Sequence, residues 1–172
     1  MFALAIVAAV VIVALATMSA TAAFALRQRV VAAADAAALA AAELTGASGP
    51  GMLAAIVVGF EVCCRIGMAL DPTAHYARGF HPTATAGTYG AAAAAAKLFG
   101  LSKEQIISAF GVSGSQAAGS LQFLVNGAWN KRYQVGAAAM NGVIAATLAR
   151  NDFIGSSDSV EGDRKSTRLN SS

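Results

Sequence analysis

The segment "PTATAGTYGAAAAAAKLFGLSKEQ", residues 82–105, decides the fold class of this chain. A proline at its first position suits the first turn of a helix, where the missing N–H is not needed. The alanine run that follows favours helix strongly, and Gly100 suits a helix C-terminus. Ser102 and Gln105 have the spacing of a capping box, which opens a further helix. The segment therefore predicts two consecutive helices with a short connection.

The rest of the chain extends this prediction to an all-α fold. The 172 residues suffice for one domain of ordinary size, and 56% of them are hydrophobic against 12% charged. No alternating Val/Ile/Thr runs bounded by turn residues indicate a sheet. Residues 71–81 and 126–134 read as a loop and a turn. We expect helices near 51–69, 83–99, 103–124 and 136–151, the third of them kinked or tightly packed at its glycines.

Charge and cysteine content exclude two classes of partner. The formal net charge is +3, but four of the twelve basic residues sit in the clusters Arg27/Arg29 and Arg164/Lys165. No basic face with interleaved aromatic residues lies between them, so we exclude nucleic acid as a partner. Cys63 and Cys64 are adjacent, which is not metal-ligand spacing. We interpret them as small hydrophobic side chains in a buried helix.

The N-terminal segment, residues 2–26, contains no charged residue and is long enough to cross a bilayer as a helix. A cleaved signal peptide is the competing interpretation, weakened because no Lys or Arg precedes the apolar stretch. The positive charge that follows the span would place its C-terminal side in the cytoplasm. The adjoining alanine-rich tract is similar to that of TadE-like pilus-assembly proteins. We expect residues 1–43 to form an apolar helix that projects away from the rest and is unrelated to it.

The C-terminal segment "DRKSTRLNSS", residues 163–172, is polar and has no periodicity. Such a composition is typical of a disordered tail. The segment also resembles the read-through of a cloning or sequencing adapter, so we expect it to be foreign to the protein.

Five stretches between residues 44 and 162 stand in an order typical of one family. They are "GFEVCCRIGMAL", "GFHPTATAGTYGAAAAAAKLFGLS", "GSQAAGSLQFL", "NGAWNKRYQVGAAAMNGVIAATLAR" and "VEG". With them, residues 44–162 resemble the MmgE/PrpD family, whose known activities include 2-methylcitrate dehydratase and cis-aconitate decarboxylase. The resemblance implies a fragment of a large helical domain from a cytoplasmic lyase that acts on small di- or tricarboxylates and is a homodimer in its parent form.

The resemblance assigns the active site to His81 and Lys131. His81 precedes the proline that starts a predicted helix, where unpaired backbone N–H groups and the positive end of the helix dipole favour carboxylates. Without the resemblance, His81 would be read as a structural, hydrogen-bonded histidine. Lys131 matches the family's active-site lysine, whose ammonium pairs with a substrate carboxylate or assists proton transfer. On its own it would be read as a solvated lysine of a loop.

Other residues near these two have weaker claims. Arg78 and Arg132 are candidates for binding a substrate carboxylate, and each is equally consistent with a surface charge. His75 is likewise open to a functional and to a structural interpretation. The aromatic residues Trp129 and Tyr133 read as packing residues rather than ligands. A further residue, Gln134, stands where some family members carry histidine, so we assign it no catalytic role.

The sequence contains no motif for a nucleotide, a metal or an iron–sulfur cluster, so we expect no cofactor. The acidic motif with a second histidine that the family carries upstream has no counterpart here. The chain therefore reads as a chimera that retains part of an active site, and we expect it to be inactive as given, because positioned catalytic groups act as a unit. The alternative function is a membrane-anchored helical protein with a structural or pilus-assembly role.

Overall fold

The computed structural model describes residues 32–160, which form an all-α domain. No strand occurs in this range, and the nearest approach to one is an isolated antiparallel bridge between Phe80 and Ser120. The predicted fold class is thereby confirmed. The helices are α1 (32–45), α2 (Gly49–Ala69), α3 (Pro72–Ala77), α4 (Pro82–Phe99), α5 (Lys103–Gln116), a 3-10 helix (Leu121–Leu124) and α6 (Asn130–Arg150).

Local sequence signals set the bounds of α4 and the start of α5. Pro82 lies in the first turn of α4, and Gly100 ends the helix in the left-handed conformation with φ of 64°. Ser102 and Gln105 form the predicted capping box, since the Ser102 hydroxyl accepts from the Gln105 N–H at 3.3 Å while the Gln105 side chain accepts from the Ser102 N–H at 3.0 Å. These short-range features confirm the two helices that the opening segment predicts.

The structure corrects three of the predicted bounds. The helix expected over 103–124 ends at Gln116, and the chain is extended at Ala117 before the 3-10 helix begins. The last helix begins at Asn130 instead of 136, so the predicted turn over 126–134 is half helical. The expected loop over 71–81 contains the short helix α3, because the Asp71 carboxylate accepts from the Ala74 N–H at its start.

Helix α4 is the centre of the domain, buried along most of its length between α2 and α6. Its alanines and glycines let the neighbouring backbones approach closely. At Gly142 of α6, an added Cβ would clash with the side chain of Ala91 and with the backbone N of Ala92. Close packing of this kind makes even one extra methyl group costly.

Replacing Gly142 with alanine should therefore lower the free energy of unfolding by about 1–3 kcal/mol, the usual cost of overpacking a core. Gly136 on the same helix is the matched control, since it is exposed and a Cβ there would have no neighbour within 4 Å. Gly136→Ala should raise the free energy of unfolding by up to about 1 kcal/mol through helix propensity. Urea unfolding of both variants measures this, and equal shifts in the two would contradict the packing of α6 on α4.

Residues 32–43 share the core of the domain. Ala34, Ala38 and Ala41 of α1 are buried; Ala38 packs with Ala55 and Ala94, and Ala41 packs with Ala95 and Ala146. Residues 32–43 thus contact α2, α4 and α6. We had expected them to belong to a segment that is unrelated to the rest of the chain. The apolar helix predicted over 2–26 and the tail over 163–172 lie outside the described residues.

Helix α2 is apolar but packs on α4 through a stripe of small residues, Ala55, Gly59 and Cys63, all buried. Burial raises the pKa of the Cys63 thiol to about 12, with a further contribution from Cys64. The expectation of a buried, apolar role is confirmed for Cys63, whereas Cys64 is half-buried. The expected buried helix is buried only along the stripe that faces α4. By length and composition, with a mean hydropathy of 1.9, α2 also qualifies as a membrane-crossing helix, a criterion that core helices of soluble proteins meet too.

Candidate active site

A cavity of about 560 Å³ lies between the start of α4, the 3-10 helix and the first turns of α6. The described residues that line it include two cations and no carboxylate, so its charge is positive. They are His81, Phe123, Leu124, Gly127, Ala128, Trp129, Lys131, Arg132 and Val135. The structure thus brings His81 and Lys131 to one cavity, 50 positions apart in the sequence.

His81 is held by its backbone and by its ring. Its N–H donates to the Gly119 carbonyl at 2.8 Å, and its own carbonyl accepts from the Ala84 N–H at 3.0 Å as α4 begins. The imidazole does not cap the helix. It is 5% exposed and packs edge-to-face on Phe123, with 6.0 Å between ring centroids. The ring is therefore confined to the wall of the cavity.

Gln134 contacts His81 directly, which the sequence did not predict. The Nδ1 atom of His81 lies 2.9 Å from Oε1 of Gln134, and Nε2 of Gln134 donates to the Ser120 carbonyl at 2.7 Å. Gln134 is itself buried. A polar residue one helical turn after Lys131 is the signal in the sequence that could have pointed to this contact, because positions three apart share a helix face.

Lys131 and Arg132 occupy the first turn of α6. Lys131 is half-buried and Arg132 exposed, and the Arg132 guanidinium lies 5.3 Å from the centre of the Trp129 ring. The positive end of the α6 dipole adds to these two charges. All three contributions attract an anion to this end of the cavity.

Arg78 and His75 lie elsewhere. Arg78 is exposed at the end of α3 and does not line the cavity. Its position therefore does not support the predicted role in substrate binding, which stays a prediction. His75 is buried, with its Nε2 atom 3.1 Å from the Thr85 hydroxyl. Burial, and secondarily the Arg78 charge, lower the pKa of His75. Both effects favour the neutral form of the ring, and the position of His75 away from the cavity is that of a packing residue.

The two aromatic residues that we interpreted as packing residues are largely exposed. Trp129 is 78% exposed and Tyr133 69%. Trp129 forms part of the cavity wall and supports the Arg132 guanidinium through a cation–π contact. The structure therefore assigns Trp129 to the site instead of the core.

A model of the MmgE/PrpD N-terminal domain matches residues 26–170. The chain belongs to the MmgE/PrpD family. The match includes residues 26–43 as well as the part of the chain that carried the resemblance. An all-helical structure with a deeply buried α4 agrees with the helical domain expected of an MmgE/PrpD protein.

Two curated fungal proteins that are similar to the chain are longer than it. The chain is 41% identical over 108 residues to the cis-aconitate decarboxylase-like protein oryM of Aspergillus oryzae (strain ATCC 42149 / RIB 40). This alignment covers 63% of the chain and 22% of the relative. The chain is 36% identical over 106 residues to the cis-aconitate decarboxylase of Aspergillus terreus, covering 62% of this chain and 21% of that protein. The aligned part thus spans about a fifth of the length of these relatives.

Proposed function

We propose that this domain supplies the carboxylate-binding and proton-transferring wall of the active site of a lyase that acts on small di- or tricarboxylates. The observation that carries the proposal is the cavity that contains His81, Lys131 and Arg132 and no acidic side chain among its described lining. Family membership supports the same class of reaction.

The charge of the cavity fits the substrate class. A tricarboxylate carries up to three negative charges. Several cations or N–H donors are needed to compensate for the hydration that it loses on binding. Lys131, Arg132 and the N-terminal end of α6 offer such groups within one wall. The apolar side chains of Phe123 and Val135 complete that wall, and a partly water-excluded site strengthens each of these interactions.

The roles of the two central residues follow from their chemistry. The His81 imidazole carries one ring nitrogen that can accept a proton and one that can donate a hydrogen bond, which suits it to proton transfer. The Lys131 ammonium binds a carboxylate next to the reacting carbon and stabilises the negative charge that develops there.

Two reactions of this class are candidates. In 2-methylcitrate dehydration a proton leaves one carbon, and hydroxide leaves the neighbouring carbon and departs as water. Cis-aconitate decarboxylation instead releases carbon dioxide and adds a proton to carbon, and the names of the relatives favour it as a second candidate.

The 172-residue chain by itself should bind such carboxylates without converting them. Dehydration requires a base and an acid on opposite sides of the reacting bond, and His81 and Lys131 are contributed by the same wall. We therefore expect calorimetry to detect binding of cis-aconitate and 2-methylcitrate but not of a monocarboxylate such as butyrate. Assays of the chain with the two substrates should show no turnover. Turnover at the rate of an intact relative would show that this wall is sufficient, and absence of any binding would overturn the proposed site.

A further inference from the structure

We propose that Gln134 is a positioning residue that holds the neutral imidazole of His81 in its Nδ1–H tautomer. The inference concerns a contact on which neither the family match nor the relatives' names bear. Its catalytic consequence rests on the proposed function, whereas the tautomer itself does not.

The Ser120 carbonyl fixes the orientation of the Gln134 amide. A carbonyl oxygen only accepts hydrogen bonds, so the amide atom 2.7 Å from it must be the NH₂ nitrogen, Nε2. The other amide atom, Oε1, then faces Nδ1 of His81 at 2.9 Å. Since Oε1 can only accept, Nδ1 must carry the hydrogen, and the lone pair of the neutral ring resides on Nε2.

The surrounding backbone fixes the positions of the two groups to which the amide is hydrogen-bonded. The His81 N–H bonds to the Gly119 carbonyl, and the Leu121 N–H bonds to the Gly79 carbonyl at 2.9 Å, which pins the two segments side by side. A Cβ on Gly119 would lie 2.6 Å from the Ala84 side chain and 3.2 Å from Oε1 of Gln134. Reversing the amide would place its oxygen against the Ser120 carbonyl oxygen, and two acceptors at that distance repel each other.

The consequence is a chain of hydrogen bonds that runs from α6 to the imidazole at the start of α4. Ser120 orients Gln134, and Gln134 orients His81. A neutral amide does this without adding a negative charge to the cavity, where a carboxylate would oppose the binding of an anionic substrate. In the proposed reaction Nε2 of His81 is consequently the atom that accepts the proton.

The test is ¹⁵N NMR of the full chain without ligand, at a pH where both imidazoles are neutral. The chain has only two histidines, and His75→Gln assigns them. In the wild-type protein we expect the Nδ1 resonance of His81 at the position of a protonated ring nitrogen and Nε2 at that of an unprotonated one. The opposite pattern, or an equal mixture of tautomers, would overturn the proposal without any variant.

Two variants separate positioning from packing. Gln134→Leu keeps the bulk but removes the acceptor, and should shift the His81 nitrogens toward a tautomer mixture while those of His75 stay unchanged. Gln134→Asn keeps both the amide donor and the amide acceptor on a shorter side chain, and should retain more of the wild-type tautomer than Gln134→Leu. An unchanged tautomer in a folded Gln134→Leu protein would contradict the proposal. Because no substrate is present, a failure to bind carboxylates would overturn the proposed function and leave this result standing.

Discussion

Replacing the residue that aligns with His81 by asparagine in a full-length family member should lower kcat by about 10²- to 10⁴-fold, the usual contribution of a general acid or base. Asparagine is chosen because its amide nitrogen takes the place of Nδ1 and can still donate to the Gln134 oxygen, so the packing of the buried ring changes little. The unfolding midpoint should change little, whereas kcat falls by the factor given above.

The matched control is asparagine at the residue that aligns with His75. His75 is also buried and hydrogen-bonded, but it does not line the cavity. Its replacement should reduce stability and leave kcat per folded molecule nearly unchanged. The same pattern at the His81 position, a loss of folding with normal turnover, would show that His81 is a structural residue.

Lys131→Met should weaken the binding of cis-aconitate to this chain by about 10- to 100-fold, because a hydrogen bond to a charged group contributes about 1.5–3 kcal/mol. Methionine keeps most of the length and apolar surface of the lysine stem, so the measured loss reflects the ammonium. Isothermal calorimetry at physiological ionic strength gives the dissociation constants of the wild type and the variant.

Lys103→Met is the control for a general charge effect. Lys103 also lies at the start of a helix, α5, but it is exposed and outside the cavity. Replacing Lys103 changes the net charge by the same amount as replacing Lys131. The dissociation constant of cis-aconitate should stay within about twofold of the wild-type value, as expected for a distant, screened charge. Equal losses in the two variants would mean that the anion is attracted by net charge alone, and not bound at Lys131.

Predictions from the sequence were accurate where the determinants are local. The capping box at Ser102, the glycine that ends α4 and the proline at its start each act within one turn of helix. The burial of α4 along most of its length was not predicted and appears only in the structure. The chemistry of His81 and Lys131 was assigned by resemblance to a family, and the structure adds that both residues line one cavity.

Predictions failed where contacts distant in sequence decide the structure. Propensity gives no reason for α6 to begin at Asn130, but an early start allows Gln134, 53 residues from His81, to reach the imidazole. The break after Gln116 lets the segment at Gly119 pair with the backbone at His81. The contact between Gln134 and His81 was missed for the same reason. A glutamine carries no chemistry of its own, and its importance appears only once its partner is known.

The central claim, that His81 and Lys131 belong to one carboxylate-binding cavity, is tested most directly by titrating the chain with cis-aconitate while recording the ring signals of both histidines by NMR. The account predicts that the His81 signals shift and saturate, that those of His75 stay unchanged, and that Lys131→Met abolishes the saturable shift over the same concentration range. Unchanged His81 signals under conditions where calorimetry detects binding, or equal shifts of both histidines, would contradict it.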